Sequence, residues 1–184
     1  MKRVLIVATN GFEQSELMQP KQMLEEAGAE TIVASLEDGE IKGWEDGDWG
    51  ESVPVDLTID EVSVGDYHAL LLPGGQMNPD ILRMEESVIN LIKEFDNAGK
   101  PIAAICHAPW LLIEADLVDG KTVTGWPSIR TDLENAGGEV IDARVAVDGN
   151  IITSRNPNDV PAFTEALMDA TTISSEADRV LENA

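Results

Sequence analysis

The stretch IAAICHAP, residues 102–109, joins a short apolar run to the start of a helical pattern through a single cysteine. An apolar run that ends at Cys106 and is closely followed by a proline predicts a buried strand, a sharp turn and a helix. Alanine stands two positions before and two positions after the cysteine, where a nucleophile elbow admits only small side chains. The start of the following helix offers free backbone N–H groups and partial positive charge, which favour a thiolate. We therefore predict that Cys106 is a nucleophile, with His107 beside it as a candidate base.

On both sides of this stretch, the hydrophobic pattern alternates between short apolar runs and helical segments. Because the apolar runs are continuous, they predict buried parallel strands in a single α/β domain, 1–184, with helices on both faces of the sheet. The predicted strands are 3–8, 30–36, 68–72, 102–105, 121–124, 139–142, 144–147 and 150–154, with a hairpin over 37–58. The predicted helices are 13–27, restarting at Pro20, then 78–98, 108–115, 128–136 and 158–182.

Composition restricts the binding partners. The 184 residues include 35 acidic and 12 basic side chains, which gives a formal net charge of −23. The acidic residues are spread along the chain, a pattern that suits a halophilic, salt-rich cytoplasm in which dissolved ions screen the repulsion. The sequence has no basic stripe that could neutralise phosphates, so we predict that the chain binds no nucleic acid and no membrane.

The cysteine count and the N-terminus restrict the chemistry further. One cysteine excludes an internal disulfide and any metal site built from several cysteines, and we predict neither a metal nor a cofactor. The apolar run at residues 4–8 is too short for a signal peptide or a membrane span. We therefore expect a cytoplasmic protein.

Loops at three strand ends carry polar residues that such a cysteine could use. In parallel α/β sheets, ligands bind at the carboxyl ends of the strands, where residues 11–16, 73–75 and 106–107 would meet. Glu13 and Glu16 are three positions apart and share one face of a helix. One of them, kept protonated by burial, would donate a hydrogen bond to the sulfur, and we favour Glu16 for this role.

Two glycines supply another part of the predicted site. Gly74 and Gly75 follow Pro73 and, having no Cβ, allow backbone N–H groups to approach a substrate oxygen closely. Together with the N–H group of His107, they would form an oxyanion hole beside the sulfur. The ring of His107 would move the proton, given a partner that orients it.

Several motifs extend these observations over the chain. They are FEQSEL at 12–17 with Pro20 following, LLLPGG at 70–75, GKPIAAICHAP at 99–109, DLENAG at 132–137 and VDGNIITSR at 147–155. In these motifs the chain resembles the PfpI-type intracellular proteases of the ThiJ/PfpI group, within the class I glutamine amidotransferase-like fold. The resemblance covers nearly the whole chain.

The resemblance implies a flavodoxin-like three-layer sandwich that forms homodimers or homohexamers. It implies that Cys106 is the nucleophile, that His107 is its neighbouring histidine, and that Glu16 hydrogen-bonds the cysteine with Glu13 nearby. In hexameric members, a carboxylate of the adjacent subunit orients the histidine. The matching position in this chain is Asp80, an aspartate where those members have the longer glutamate.

One departure from the family pattern concerns the pocket wall. Trp126 stands where relatives carry a tyrosine or a histidine, and an indole cannot act as a base. We therefore expect Trp126 to shape the substrate pocket, together with Glu13, Gly74 and Gly75.

The residues and the resemblance together predict a cysteine-dependent stress enzyme of the glyoxalase or protein deglycase type. Its substrates would be small carbonyl compounds, glycated proteins or peptides, attacked at carbon by the Cys106 thiolate. An intracellular cysteine peptidase of the PfpI type is the alternative within the enzyme class. The alternative from another class is a non-catalytic redox sensor or chaperone, in which Cys106 is oxidised to a sulfinic acid.

Overall fold

A central sheet of seven strands lies in the middle of the fold, and a hairpin with one short strand lies beside it. The computed structural model describes residues 1–173. In this part of the chain the strands are β1 (Arg3–Val7), β2 (Phe12–Glu13), β3 (Glu30–Ser35), β4 (Glu40–Glu45), β5 (Asp48–Pro54), β6 (Leu57–Thr58), β7 (Ala69–Leu72), β8 (Ile102–Ile105), β9 (Thr122–Val123), β10 (Glu139–Val140), β11 (Ala146–Asp148) and β12 (Ile151–Ser154).

The helices connect these strands. They are α1 (Gln14–Glu26), α2 (Met77–Leu82), α3 (Glu86–Asn97), α4 (Pro109–Glu114), α5 (Arg130–Asn135) and α6 (Val160–Thr171). The last predicted helix, 158–182, corresponds to α6, and its part after residue 173 lies outside the described residues. Within residues 1–173, none of the helices has the length and apolar composition needed to cross a bilayer.

The sheet is parallel except at one edge. Its order is β11-β12-β8-β7-β1-β3-β6, and only the pair β11 and β12 is antiparallel. The strands β7, β8 and β12 are buried at every residue, because both faces of the sheet are covered. The predicted mainly parallel sheet is therefore confirmed.

Helices on the two faces of the sheet make a three-layer sandwich. Along β1, Leu5 and Val7 belong to one apolar cluster, whereas Val4 and Ile6 belong to the other. Side chains of α3, α4 and α5 complete the first cluster, and side chains of α1 and α6 complete the second. This arrangement confirms the predicted flavodoxin-like α/β class.

The hairpin predicted over 37–58 is formed by β4 and β5. It is antiparallel, β2 pairs with β4, and the register places Trp44 opposite Trp49. The two indole rings meet edge to face with 5.3 Å between their centroids. Trp49 remains 46% exposed.

The first helix differs from its prediction at Pro20. We expected the helix to restart there, but α1 continues from residue 14 to residue 26 with Pro20 buried inside it. A proline removes one intrahelical hydrogen bond, to the carbonyl group of Glu16, and leaves the other bonds in place. Burial of Leu17, Pro20 and Leu24 on one face holds the continuous helix against the sheet.

The predicted helix at 78–98 is also different, because it is divided into α2 and α3. Leu82 is buried at the end of α2, and the next buried position is Val88. A spacing of six residues does not fit one face of a continuous helix, which needs three or four. Residues 83–85 therefore leave the helical path, and Glu85 has extended backbone angles before α3 begins.

The winding of the sheet changes direction at β1. The chain passes from β1 to β3 on one side, and later returns to place β7 and then β8 on the other side. Such a reversal opens a crevice at the carboxyl ends of the adjoining strands, where α/β proteins bind ligands. The loops that follow β1, β7 and β8 lie at this edge of the sheet.

One buried amide connects two of these loops. The side chain of Asn78 is fully buried; its Oδ1 accepts the N–H of Thr9 at 2.8 Å. Its Nδ2 donates to the carbonyl oxygens of Pro73 and Gly74 at 2.9 and 3.2 Å. Asn78 thus joins the end of β1 to the turn after β7.

We expect Asn78→Ala to lower the free energy of unfolding by about 3 kcal/mol, because it leaves buried donors and acceptors without partners. Urea unfolding at constant salt measures this change. Asn97→Ala, at an exposed position, is the matched control and should stay within about 0.5 kcal/mol of the wild type. Equal stabilities of the two variants would contradict the role given to Asn78.

Candidate active site

Cys106 lies on the sharp elbow that the sequence predicts. It follows β8 directly, and its φ angle is +64°, a left-handed conformation that costs energy in a residue with a Cβ. The N–H group of Cys106 donates to the carbonyl oxygen of Ser154 in β12 at 3.0 Å. Ala104 and Ala108 are fully buried on either side. The elbow therefore holds Cys106 at the carboxyl edge of the sheet.

The imidazole of His107 is in contact with the sulfur. The distance from Cys106 Sγ to His107 Nδ1 is 3.2 Å, and both residues are buried. Burial lowers the pKa of His107. The ring is therefore neutral at neutral pH, and Nδ1 is able to accept the thiol proton.

Glu16 occupies the first turn of α1 and is completely buried. Its Oε1 accepts the N–H of Gly74 at 3.1 Å, whereas Oε2 is buried and has no hydrogen-bond partner in the described residues. Burial and the negative charge of Glu13 raise the pKa of Glu16 to about 8. The carboxyl group next to Cys106 is therefore protonated at neutral pH.

Glu13 lies just outside α1 at its N-terminal end and is partly exposed. Burial raises the pKa of its carboxyl group, and the charges of Asp46 and Glu45 in the hairpin raise it further. Its N–H group donates to the carbonyl oxygen of Gly74 at 3.2 Å. Glu13 also pairs with Trp44 of β4, so it connects the hairpin to the turn that carries the site.

Burial of Cys106 acts against the predicted activation as a thiolate, which stays a prediction. Burial raises the pKa of the thiol, and the charge that Glu16 acquires above pH 8 raises it further. The backbone N–H groups of Gly75 and His107 lower this pKa by a smaller amount. The sequence does not reveal how deeply the elbow is buried. This burial favours the thiol form of Cys106 in the resting site.

The glycine turn fits closely against the site. A Cβ at Gly74 would lie 2.5 Å from Glu16 Oε1 and 2.7 Å from Cys106 Cβ. Gly75 has a φ angle of +86°, and a Cβ there would lie 2.6 Å from the carbonyl oxygen of Gly11. Neither position admits a larger residue without displacing the site.

The donors for an oxyanion differ in part from the predicted set. The N–H of Gly74 already donates to Glu16, so Gly74 does not contribute a free donor. The N–H groups of Gly75 and His107 interact with the sulfur of Cys106. The structure thus brings together two of the three expected groups.

Two tryptophans hold the histidine ring. The ring of Trp110 meets His107 edge to face at 5.1 Å, and the ring of Trp126 stacks on it at 5.8 Å with an interplanar angle of 22°. The N–H group of Trp126 donates to the carbonyl oxygen of Cys106 at 2.8 Å. Trp126 is 38% exposed beside the histidine, and its role in shaping a substrate pocket stays a prediction.

The partner of the second ring nitrogen was not predicted. Ser128 Oγ lies 3.5 Å from His107 Nε2. Asp80 is exposed on α2, and its side chain forms no hydrogen bond or ion pair with the rest of residues 1–173. A contact between Asp80 and the histidine of a neighbouring subunit stays a prediction. Ser128 stands only two positions after Trp126, and this proximity is the one signal that could have identified it.

Metal ligands are not grouped in the described part of the chain. Among residues 1–173, no three His, Cys, Asp or Glu side chains are placed so that they could hold one ion.

Comparison with known sequences gives the relatives of this chain. The family model described as DJ-1/PfpI matches residues 2–170. A deglycase of Thermococcus kodakarensis is 44% identical over 161 residues, which cover 88% of this chain and 94% of the relative. General stress protein 18 of Bacillus subtilis is 43% identical over 163 residues, with coverages of 88% and 93%. Another Bacillus subtilis relative, with the same identity and coverages of 88% and 94%, bears a provisional cysteine protease name.

Solved structures share the fold. A two-domain protein of Anabaena variabilis, with DJ-1/ThiJ/PfpI-like and ferritin-like domains, matches with a TM-score of 0.87 and 35% identity. That match covers 97% of this chain and 52% of the two-domain chain. DJ-1beta of Drosophila melanogaster matches with a TM-score of 0.84 and 28% identity, covering 92% of this chain and 90% of that one.

We expect the rate at which iodoacetamide alkylates Cys106 to rise with pH up to about pH 8 in the wild-type chain and then to level off. Below this pH Glu16 is neutral and the thiol ionises as pH rises. Above it Glu16 becomes charged and raises the pKa of Cys106, because like charges oppose each other. In Glu16→Gln the rate should continue to rise about tenfold per pH unit, because glutamine does not ionise.

Intact mass measures this rate, since the chain has one cysteine. Glu26→Gln, on the exposed side of the same helix, is the matched control and should keep the wild-type profile. A wild-type profile without a change of slope near pH 8, or the same change of slope in Glu16→Gln, would contradict the proposed protonation of Glu16.

Proposed function

The chain belongs to the DJ-1/PfpI family, as its motifs predict, and we propose that it is a cysteine-dependent enzyme that converts reactive carbonyl compounds. One arrangement supports this most directly: the Cys106 thiol lies 3.2 Å from Nδ1 of a neutral histidine and against the buried carboxyl group of Glu16. Such a site suits the addition of sulfur to a carbonyl carbon, followed by proton transfers over short distances. The deglycase name of the Thermococcus kodakarensis relative agrees with this chemistry.

With methylglyoxal, the first step forms a carbon–sulfur bond. Sγ of Cys106 attacks the aldehyde carbon, the thiol proton passes to Nδ1 of His107, and the carbonyl electron pair moves onto oxygen. The N–H groups of Gly75 and His107 stabilise the negative oxygen. That oxygen then takes the proton, which gives a hemithioacetal.

The second step is an internal oxidation and reduction that needs no external oxidant. A proton leaves the carbon bonded to sulfur and a proton is added to the neighbouring ketone carbon, while the hydroxyl proton of the first carbon is lost and the ketone oxygen gains one. The first carbon is thereby oxidised to a thioester carbonyl, and the second is reduced to an alcohol. His107 and Glu16 are the titratable groups in contact with the sulfur and would carry these protons. Water hydrolyses the resulting thioester to lactate and releases the thiol.

Glycated amines give the same intermediate. When sulfur displaces the amine of an early methylglyoxal adduct, the amine leaves with a proton and the hemithioacetal forms at the same carbon. Cys106 is only 6% exposed, so the substrate has to present a small carbonyl group at the end of an accessible chain. Small carbonyl compounds and the glycated side chains of proteins or peptides satisfy this condition.

Peptide hydrolysis is the second candidate, and the provisional protease name of one Bacillus subtilis relative supports it. A peptide requires an acid that protonates an amine leaving group, and cysteine proteases hold that histidine with a strongly accepting partner. In residues 1–173, the side-chain partner of His107 Nε2 is a serine hydroxyl at 3.5 Å. Carbonyl conversion therefore agrees better with this site.

We also propose that the chain forms a homodimer or homohexamer. Apolar side chains beside Asp80 support an interface on this surface: Ile81 is 37% exposed and Met84 is 79% exposed. Each chain has a formal net charge of −23, so repulsion between subunits opposes assembly at low salt.

Replacement of Cys106 by serine should abolish the conversion of methylglyoxal to lactate, because the hydroxyl is a much weaker nucleophile at neutral pH. His107→Gln should lower kcat at least tenfold, because the thiol proton then has no acceptor. His68→Gln is the matched control, since His68 is the other histidine and is exposed. Its kcat should equal that of the wild type. Lactate formation, followed by NMR, gives all three values.

Each alternative function gives a different result in this experiment. Lactate formation that survives in Cys106→Ser would contradict the proposal. Cysteine-dependent cleavage of casein without lactate formation would favour the peptidase. A reduced wild type without turnover, whose Cys106 gains stable oxygen atoms in mild peroxide, would favour a redox sensor.

The assembly should grow with salt, because screening removes the repulsion between acidic subunits. Light scattering at low and at molar salt measures the mass, and we expect the higher mass at molar salt. The same mass at both concentrations would contradict this expectation.

A further inference from the structure

We propose that Ser128 is a positioning residue for His107: its hydroxyl oxygen accepts the Nε2–H of the ring and so keeps Nδ1 free to take the proton of Cys106. This inference rests on the proposed function, because it assigns the group that prepares the base of that reaction. The observation that carries it is the position of Ser128 Oγ, 3.5 Å from Nε2, while the sulfur of Cys106 lies 3.2 Å from the other ring nitrogen, Nδ1.

The loop after β9 places Ser128 by three contacts. The N–H group of Trp126 donates to the carbonyl oxygen of Cys106 at 2.8 Å, which attaches this loop to the elbow itself. Residues 127–129 then form one turn of 3₁₀ helix, in which the N–H of Ile129 donates to the carbonyl of Trp126 at 3.0 Å. Ile129 is fully buried in the apolar core. The turn carrying Ser128 is therefore fixed on both sides of that residue.

Close approach of the loop to the elbow also depends on Gly125. A Cβ at this position would lie 3.3 Å from the carbonyl oxygen of Cys106 and 3.2 Å from Ile129 Cδ1. Both distances are tighter than ordinary contacts, so glycine permits the loop to lie against the elbow. The loop and the nucleophile are thus parts of one packed unit.

The tautomer of the ring follows from these two partners. A neutral histidine carries one N–H, and its other ring nitrogen accepts. The thiol of Cys106 has a proton to donate and faces Nδ1, so Nδ1 is the acceptor and Nε2 carries the hydrogen. A hydroxyl oxygen has lone pairs for that hydrogen, and Ser128 provides them.

The tryptophans and Ser128 have separate effects on the ring. Trp110 and Trp126 contact its edge and its face, which limits the plane of the ring. Apolar contacts of this kind do not distinguish a nitrogen from a carbon. The hydrogen bond to Ser128 does, because a ring turned over by 180° would present carbon atoms to both Cys106 and Ser128.

His68 provides an internal reference for a test. Its Nδ1 accepts the N–H of Arg3 at 3.0 Å, so its Nε2 carries the hydrogen. Burial lowers the pKa of His107, and partial desolvation together with the charge of Lys2 lowers that of the exposed His68. Both rings are therefore neutral at a pH well above the ordinary value of about 6.5. The chain has no other histidine. Two-dimensional NMR of the chain labelled with ¹⁵N histidine thus shows two rings only.

We expect the wild type to show the Nε2–H pattern of nitrogen shifts for both rings. His107→Gln identifies which signals belong to His107. In Ser128→Ala the His107 signals should move toward an average of the two tautomers, while the His68 signals stay in place. Ser128→Thr, which keeps the hydroxyl, should restore the wild-type pattern. A wild-type His107 with hydrogen on Nδ1, or identical shifts in Ser128→Ala, would overturn the proposal.

Turnover of methylglyoxal gives the second measurement. Loss of one hydrogen bond on an exposed side chain should lower kcat roughly two- to tenfold in Ser128→Ala, with KM little changed and with rescue by Ser128→Thr. Ser87→Ala, an exposed serine on α3, is the matched control and should match the wild type.

The two assignments of the histidine partner give opposite results. If Asp80→Asn lowers kcat and Ser128→Ala does not, the carboxylate of a neighbouring subunit orients His107 and the proposal for Ser128 is wrong. Lactate formation by Cys106→Ser would instead overturn the proposed function. The NMR comparison measures the ring alone, so it separates these two failures.

Discussion

The burial of one carboxyl group beside the sulfur is the constraint on which this site depends. Glu16 is fully buried, and no cation is among the groups that shift its pKa. An ionised Glu16 would therefore be an unpaired charge in a medium of low polarity, which costs several kcal/mol. The chain avoids this cost by keeping the proton up to about pH 8. The same proton removes the repulsion that a carboxylate would exert on negative charge at Cys106.

The fold supplies this burial through three adjoining strand ends. The winding of the sheet reverses at β1, so the loops after β1, β7 and β8 share one edge. Asn78 joins two of these loops, and Gly74 lets the turn pass between Glu16 and Cys106 without a side chain. Because these elements contact one another, the contacts that position the proposed catalytic groups also stabilise this edge of the sheet.

The sequence predicts the parts of this arrangement that depend on local pattern. Continuous apolar runs indicate the parallel sheet, and the small residues around Cys106 indicate the elbow. Other features depend on three-dimensional packing: α1 continues through Pro20 because its buried face holds it, and α2 ends where the spacing of buried positions changes. The pKa of Cys106 depends on burial, and the contact of Ser128 with His107 joins residues 21 positions apart. Neither follows from spacing along the chain.

Infrared spectroscopy tests the central claim, that Glu16 is protonated beside Cys106 at neutral pH. The difference spectrum between the wild type and Glu16→Gln isolates the vibrations of this single carboxyl group. We expect the C=O band of a protonated acid well below pH 8, and its replacement by carboxylate bands well above that pH. Carboxylate bands throughout the range would show an ionised Glu16 and would contradict the protonation on which the proposed site chemistry depends.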